Sequence, residues 1–351
     1  MRFIIISIFL ISLALFFSVH ISPETWDYTG LLPLLIPVFL LLNLFLIVLL
    51  LFGRLRLIIY PILTLIIGWK FLVVTFQWNS PDISTEGFTF LSYNAMLFNN
   101  GWGNDNVELI SNSIKWAREN PSEIKCFQEF YQDYTTPSRN TIKIIGDNGA
   151  YEHAYFAANG EARKRSNGMA IFSKFPIINS GKVFDNKRQN GAMFADIKIN
   201  QDTIRVYNTH LESMNISAAE LDNLEGIKKQ YRNTIRKLKE GIKMRTAQMS
   251  ILKKHMANSP FPVILAGDFN DLPYSYTYFS LKEDLENAFE NKGRGFGFTY
   301  NKVLFFLRID NVFYEKPLEV LQFKTLREVD YSDHYPISAV FAYPDQWKIS
   351  D

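Results

Sequence analysis

Apolar sequence is packed into one end of this chain, and that segregation constrains the fold more than any average over its 351 residues. The first 80 residues hold four basic side chains (Arg2, Arg54, Arg56, Lys70) and two acidic ones (Glu24, Asp27). The other 271 carry 33 of the 37 Lys+Arg and 33 of the 35 Asp+Glu, so the formal +2 belongs to the apolar end and the rest is balanced. Three apolar runs, about residues 3–19, 31–52 and 57–76, fit a membrane anchor, because about 20 apolar residues of helix cross the hydrocarbon layer. No Ala-x-Ala-like site follows the first run, only Ser18-Val19-His20, which favours a retained helix over a cleaved leader.

The expected organisation is therefore a 1–76 anchor of three transmembrane helices, a 77–87 linker and an 88–351 catalytic domain. Arg2, Arg54 and Arg56 mark cytoplasmic ends and Glu24 and Asp27 the opposite loop, so the positive-inside rule puts the domain outside the cytoplasm. In a bacterium that means an inner-membrane protein facing the periplasm. Lys70 lies near the outer end of its run and can snorkel. The balanced charge excludes the strongly basic footprint of a non-specific nucleic-acid binder. With one cysteine, Cys126, no intrachain disulfide forms, and its apolar flanks read as core.

Past the linker, short β-branched and aromatic runs read as strands: Phe88–Tyr93, Met169–Ser173, Gly191–Ile199, Thr203–Asn208, Val263–Ala266, Arg308–Tyr314 and Ile337–Tyr343. Asn106–Glu119 and Ser217–Met256 read as helices, the second as one or two because Gly241 interrupts it. Strands outnumber helices and several pair antiparallel, so the fold class is α/β (α+β), a layered sandwich.

Costly polar groups gather at the strand ends: Tyr93-Asn94, Gln128-Glu129, Asn208-Thr209-His210, Gly267-Asp268-Phe269-Asn270, Asp310-Asn311 and Ser332-Asp333-His334. Loops on a rigid scaffold carry function, and six such ends exceed what turn capping requires. Hydrolysing a phosphoester needs a hard cation to neutralise phosphoryl charge, a base for water and a proton donor for the leaving oxygen. Carboxylates and two of the chain's five histidines, His210 and His334, stand at these ends. Zinc is disfavoured, since neither a His-x-x-x-His pair nor a second Cys is present.

In identity and order these motifs resemble the endonuclease/exonuclease/phosphatase superfamily of magnesium-dependent phosphoesterases, over about residues 88–343. That superfamily includes pancreatic-type deoxyribonucleases, abasic-site endonucleases, neutral sphingomyelinases and inositol-polyphosphate phosphatases. The resemblance implies a four-layer sandwich of two mixed β-sheets flanked by helices. It implies that Glu129, Asn94 and Asp333 form or support a site for Mg2+ (Mn2+ as a substitute). Asp268 would orient or deprotonate water, Asn270 bind a phosphate oxygen, and His334 contact the phosphate with its ring fixed by Asp310. His210 would bind phosphoryl charge or protonate the leaving group. Which of Asp268 and His334 is the base stays open. Met96 stands where many members carry a polar residue, which favours one metal over two.

Arg163 and Arg165, with Lys164, are read as a grip for an anionic substrate. Arg245 and Gln248 echo a helix packed behind the family's site. The basic helix over 217–256 is read as a solvated face or a membrane-contacting one. Phe296, Phe298, Phe305 and Phe306 are read as core or a substrate-facing lip. The expected partners are the bilayer and a phosphoester substrate: a phospholipid head group, a small phosphodiester or nucleic acid. The alternatives are an extracytoplasmic nuclease and an inactive binding or scaffold protein.

Overall fold

The computed structural model describes residues 1–53, 55–80, 86–100, 106–161, 163–186, 189–213, 224–302 and 306–344. Arg54, residues 81–85 of the linker, Ala162, the 217–223 start of the expected helix, Phe305 and the end of the domain past 344 lie outside the described residues. The chain divides into two compact units: Met1–Gln77 with Met214–Ala247 and Asp271–Glu283, and Trp78–Ser213 with Gln248–Asn270 and Asp284–Asp351.

In the first unit the apolar runs form the helices α1 (Arg2–Ser18), α2 (Ile36–Leu51), α3 (Ile59–Ile67) and α4 (Trp69–Thr75). A 3-10 turn extends α2 back to Leu32, so Leu32–Leu51 is long and apolar enough to span a membrane. The other two runs depart from the expected three spans. Seventeen residues make α1 about 25 Å long, short of the ~30 Å hydrocarbon layer. The third run breaks at Gly68, where α3 and α4 are bent by 59°. A Cβ there would lie 2.6 Å from Phe16 Cε2, so glycine permits the close approach that accompanies the bend. Asn43, the polar side chain of α2, is buried and donates to Ser12 Oγ of α1 (3.1 Å) and to Phe39 O (2.7 Å).

The second unit carries strands in chain order: β1 (Gln77–Trp78, starting in the first unit), β2 (Gly87–Asn94), β3 (Ile124–Asp133), β4 (Glu152–Gly160), β5 (Arg165–Ser173), β6 (Ile177–Asp185), β7 (Gly191–Ile199), β8 (Asp202–His210), β9 (Val263–Asp268), β10 (Glu286–Asn287), β11 (Arg294–Gly295), β12 (Asp310–Tyr314), β13 (Val320–Thr325) and β14 (Ile337–Ala342). Two mixed six-stranded sheets result, ordered β10-β12-β9-β8-β7-β6 and β13-β14-β2-β3-β5-β4. The pairs β2/β3 and β8/β9 are parallel. A core between the sheets joins Phe88, Phe90, Cys126, Ile171, Val206, Ile264, Val312 and Phe341. Helix α5 (Val107–Glu119), capped by Asn106 Oδ1 accepting from Leu109 N, closes a second cluster with Phe98, Phe127 and Phe130 on the outer face of the second sheet. The long helix Leu224–Met256 runs through Gly241 uninterrupted. Its last turns meet the other sheet, where His255 lies against Phe194 and Tyr207. The expected flanked sandwich is present.

Candidate active site

Strand side chains alternate between faces, so each strand's inward row can be followed along the inter-sheet core to its end. On β2 it runs Phe88, Phe90, Ser92, Asn94; on β8, Ile204, Val206, Asn208, His210; on β9, Ile264, Ala266, Asp268; on β12, Tyr314, Val312, Asp310. All four rows turn from apolar to polar at their last one or two positions. The registers bring those positions together, with His210 opposite Asp268 and Asp268 opposite Asp310. The close β8–β9 approach requires Gly267: its φ is +144°, and a Cβ would lie 1.9 Å from Thr209 O.

Asp268 Oδ2 is the convergence point. Asn94 Nδ2 donates to it at 3.0 Å, and the Nε2 atoms of His210 and His334 lie 3.6 and 3.7 Å away. Its Oδ1 accepts the Asn270 backbone N–H at 2.8 Å, Asn270 having a φ of +50°. The Asn270 amide Nδ2 donates to Leu211 O at 3.0 Å. His334 Nδ1 lies 2.8 Å from Asp310 Oδ2. Burial disfavours the imidazolium, but Asp310 and Asp268 outweigh it and hold His334 well above the ordinary histidine range. Burial also pushes the Asp310 carboxyl up, so the pair is poised to hold one proton between them. His210 Nδ1 is buried without a hydrogen-bond partner among the described residues.

Glu129 enters by a different route. A bulge between Phe127 and Phe130 interrupts the β3/β5 ladder, and Glu129 within it has a φ of +46°. Bulges re-aim side chains beside active sites. Here the carboxylate has Oε1 3.9 Å from His210 Nε2, and no hydrogen-bond donor reaches it among the described residues. Burial pushes its carboxyl up, and Asp333 and Asp268 add to the effect against His210 and His334. A half-buried carboxylate pressed by two others, without a donor among the described residues, fits a hard divalent cation. Asp333, half-buried, and the Asn94 Oδ1 atom are further oxygens of the same kind; Oδ1 also accepts the Met96 N–H at 3.1 Å. The cluster Asp268, Asp310 and His334 also lies within 4.8 Å. Its members are engaged by Asn94, by the Asn270 N–H and by one another, so it reads as proton-handling machinery rather than a cation cage.

The structure thus brings Asn94, Glu129, His210, Asp268, Asn270, Asp310 and His334 to one end of the core, with Asp333 adjoining. Arg163 and Arg165 do not join them. Arg163 is exposed, and Arg165 Nε pairs with the buried Asp133 at 3.0 Å. Gln248 supports the segment after His210, accepting the Glu212 N–H at 2.9 Å, while Arg245 Nε lies 3.5 Å from Asp271 in the first unit.

Several supporting residues carried no role in the sequence reading. Asn208 donates to Phe127 O (2.9 Å) and Ala170 O (3.0 Å) across the sheets and accepts from Gln128 Nε2 at 2.6 Å. Their place in the Asn-Thr-His and Gln-Glu motifs was the available signal. Ser332 Oγ donates to Asn94 O at 2.7 Å. Thr299 Oγ1 accepts the Asp310 N–H at 3.2 Å, and the Tyr300 ring meets His334 edge-on at 5.4 Å. Nothing in the sequence marks these last two.

A sequence profile described as the Endonuclease/Exonuclease/phosphatase family matches residues 91–334, and one described as a domain of unknown function matches residues 1–75. No curated protein matches the chain. An endonuclease/exonuclease/phosphatase family protein from Leptotrichia buccalis superposes with a TM-score of 0.52 at 16% identity, covering 73% of this chain and 100% of its own. The catalytic domain of human nocturnin, solved with bound sulfate, gives 0.51 at 18%, covering 75% and 95%. A functionally unknown conserved protein from Enterococcus faecalis gives 0.51 at 15%, covering 73% and 100%.

Proposed function

Since the chain belongs to the endonuclease/exonuclease/phosphatase family, we propose that it hydrolyses a phosphoester, a phosphodiester in the first instance, by in-line attack of water. The carrying observation is the convergence of Asn94, His210 and His334 on one oxygen of Asp268. Glu129, with Asp333 and Asn94, would hold Mg2+ or Mn2+. When bound, such a cation supplies charge neutralisation at the phosphoryl group. His334, kept protonated by Asp310, suits contact with an anionic phosphoryl oxygen, which leaves Asp268 as the group to take the proton of water. Asn94 holds Asp268 in place. His210, with Nε2 on the same side, stabilises phosphoryl charge or protonates the leaving oxygen, and Asn270 fixes the Asp268 carboxylate through its backbone N–H.

This reading takes the bent pair Leu55–Ile67 and Trp69–Thr75 as one broken span that returns the chain to the outer side, and so puts the reaction outside the cytoplasm. Arg54 and Arg56 follow the spanning helix Leu32–Leu51, and Glu24 and Asp27 precede it, so its N-terminal end faces outward by the positive-inside rule. Lys239 Nζ lies 3.2 Å from Asp27 Oδ2, which ties the long helix to that same side. A membrane anchor and a balanced catalytic unit favour a phospholipid head group or a small phosphodiester over nucleic acid.

The test assays the full chain in detergent with Mg2+, Mn2+ or EDTA against bis-p-nitrophenyl phosphate, a choline phospholipid and plasmid DNA, beside Asp268→Ala. Cation-dependent turnover that the substitution abolishes supports the reading, and the preferred substrate decides its branch. Full activity in Asp268→Ala sinks it.

A further inference from the structure

The long helix Leu224–Met256 carries two parallel stripes at helical spacing. One is apolar: Tyr231, Ile235, Leu238 and Ile242. The other, offset by one residue, is basic: Arg232, Arg236, Lys239 and Lys243. Residues at i, i+4, i+7 and i+11 share one helix face, so the stripes run side by side. At one end the apolar stripe is covered: Ile242 is buried, and its Cγ2 would lie 2.4 Å from a Cβ on Gly30. Two and three turns back on the same face, Ile235 and Tyr231 are 41% and 47% exposed. The basic stripe meets the same loop, with Lys239 Nζ bonded to Asp27 and 4.2 Å from the centroid of the Tyr28 ring.

That loop fixes the depth. Asp27, Tyr28 and Gly30 immediately precede the spanning helix Leu32–Leu51, and Trp26 and Tyr28 are about half exposed, as aromatic residues are at the membrane–water boundary. A helix packed against those residues within the same compact unit lies at head-group level. Its uncovered apolar stripe continues the face already turned toward the apolar helices. An apolar stripe beside a basic one is the composition of a helix lying in the interface plane and attracted to anionic lipid.

We infer that Tyr231–Ala247 is a membrane-surface helix: Tyr231 and Ile235 insert at the head-group boundary of the outer leaflet, and Arg232 and Lys243 recruit anionic phospholipid beside them. This rests on the membrane placement proposed above and adds a lipid-binding surface apart from the candidate active site.

The test uses the full chain in vesicles, with a fluorophore on Ile235→Cys or, separately, on Leu41→Cys; Cys126 is fully buried, so unsubstituted protein is the labelling background. Quenching by brominated phosphatidylcholine is compared with quenching by brominated phosphatidylglycerol. The expected result is quenching at both positions, with a phosphatidylglycerol preference at 235 that falls about fivefold for each basic side chain lost, read in Arg232→Glu with Lys243→Glu. Quenching at 41 with none at 235 overturns this inference alone and assigns the stripe to water or to a protein partner. Equal quenching at 235 by both lipids, unmoved by the charge reversals, overturns the recruitment of anionic lipid. No quenching at either position overturns the membrane placement and this inference with it.

Discussion

His334 Nδ1 and Asp310 Oδ2 lie 2.8 Å apart, both side chains buried, on segments that meet only through tertiary structure. The bond orients the ring so that Nε2 faces Asp268, 3.7 Å away. Asp310→Asn keeps the shape but removes the charge that sustains the imidazolium. We expect kcat on bis-p-nitrophenyl phosphate to fall about 10²–10⁴-fold, the usual scale of acid–base assistance, with little change in KM or in the circular dichroism spectrum. A kcat near that of the unsubstituted protein would make the pair a structural one.

Glu129 gives a prediction with two readouts. Glu129→Gln keeps the volume and removes the charge. Even residues that merely support metal ligands cost about 10–100-fold in affinity when replaced, so the Mg2+ needed for half-maximal activity should rise by at least that much. In EDTA the same substitution should raise Tm by a few degrees, because it relieves a half-buried carboxylate crowded by Asp268 and Asp333. A lower Tm in EDTA would mean that Glu129 is already compensated without a cation.

The sequence was most legible where strands are buried on both faces. The runs at β2, β8, β9, β12 and β14 stood out because their neighbours in the sheets are strands on each side and their apolar content is dense. Of the longer strands absent from that reading, β4, β6 and β13 are sheet edges, where Glu152–Gly160 and Ile177–Asp185 alternate weakly and face solvent, while central β3 was marked only by its end at Gln128-Glu129. The site followed the same logic. Asp268 and His210 end strong strands, and the register sets them opposite each other. Thr299 and Tyr300 reach Asp310 and His334 from an irregular segment whose approach is set by an isolated bridge, Tyr300 to His334, that no local pattern encodes. Arg163 and Arg165 looked like a substrate grip because charge runs carry no record of their partners, and Asp133 claims Arg165.

Behind the site, Asn208 ties both sheets together. Asn208→Ala takes a donor from the buried carbonyls of Phe127 and Ala170 and leaves Gln128 Nε2 with only Ser92 Oγ, at 3.2 Å. Each unsatisfied group costs about 1–3 kcal/mol. We expect a loss of stability of about 2–4 kcal/mol in urea unfolding, with the residual folded protein less active because Glu129 and His210 flank the lost links. A loss below ~0.5 kcal/mol, the scale of an ordinary surface change, would show that the amide network is slack.

Lys125 offers a stability test remote from the site. Its side chain is fully buried on β3, with Nζ donating to Ala117 O (3.0 Å) and Arg118 O (3.2 Å) at the end of α5 and lying 4.3 Å from the centroid of the Tyr151 ring. Burial, aided by the Lys174 charge, pushes its ammonium down to about 8. The unfolded chain keeps the ordinary lysine value near 10.4, so between those two the unfolded state holds the proton that the folded state has released. Stability therefore rises with pH across that window, and the cost of burying the charge is fully present below it. A shift of this size corresponds to on the order of 3 kcal/mol. In Lys125→Met the titration is gone. Urea unfolding of both proteins from pH 7 to pH 10.5 should show the unsubstituted protein gaining stability relative to Lys125→Met as pH rises through 8. Parallel pH profiles for the two would mean that the carbonyls of Ala117 and Arg118 and the face of Tyr151 solvate the ammonium as well as water does.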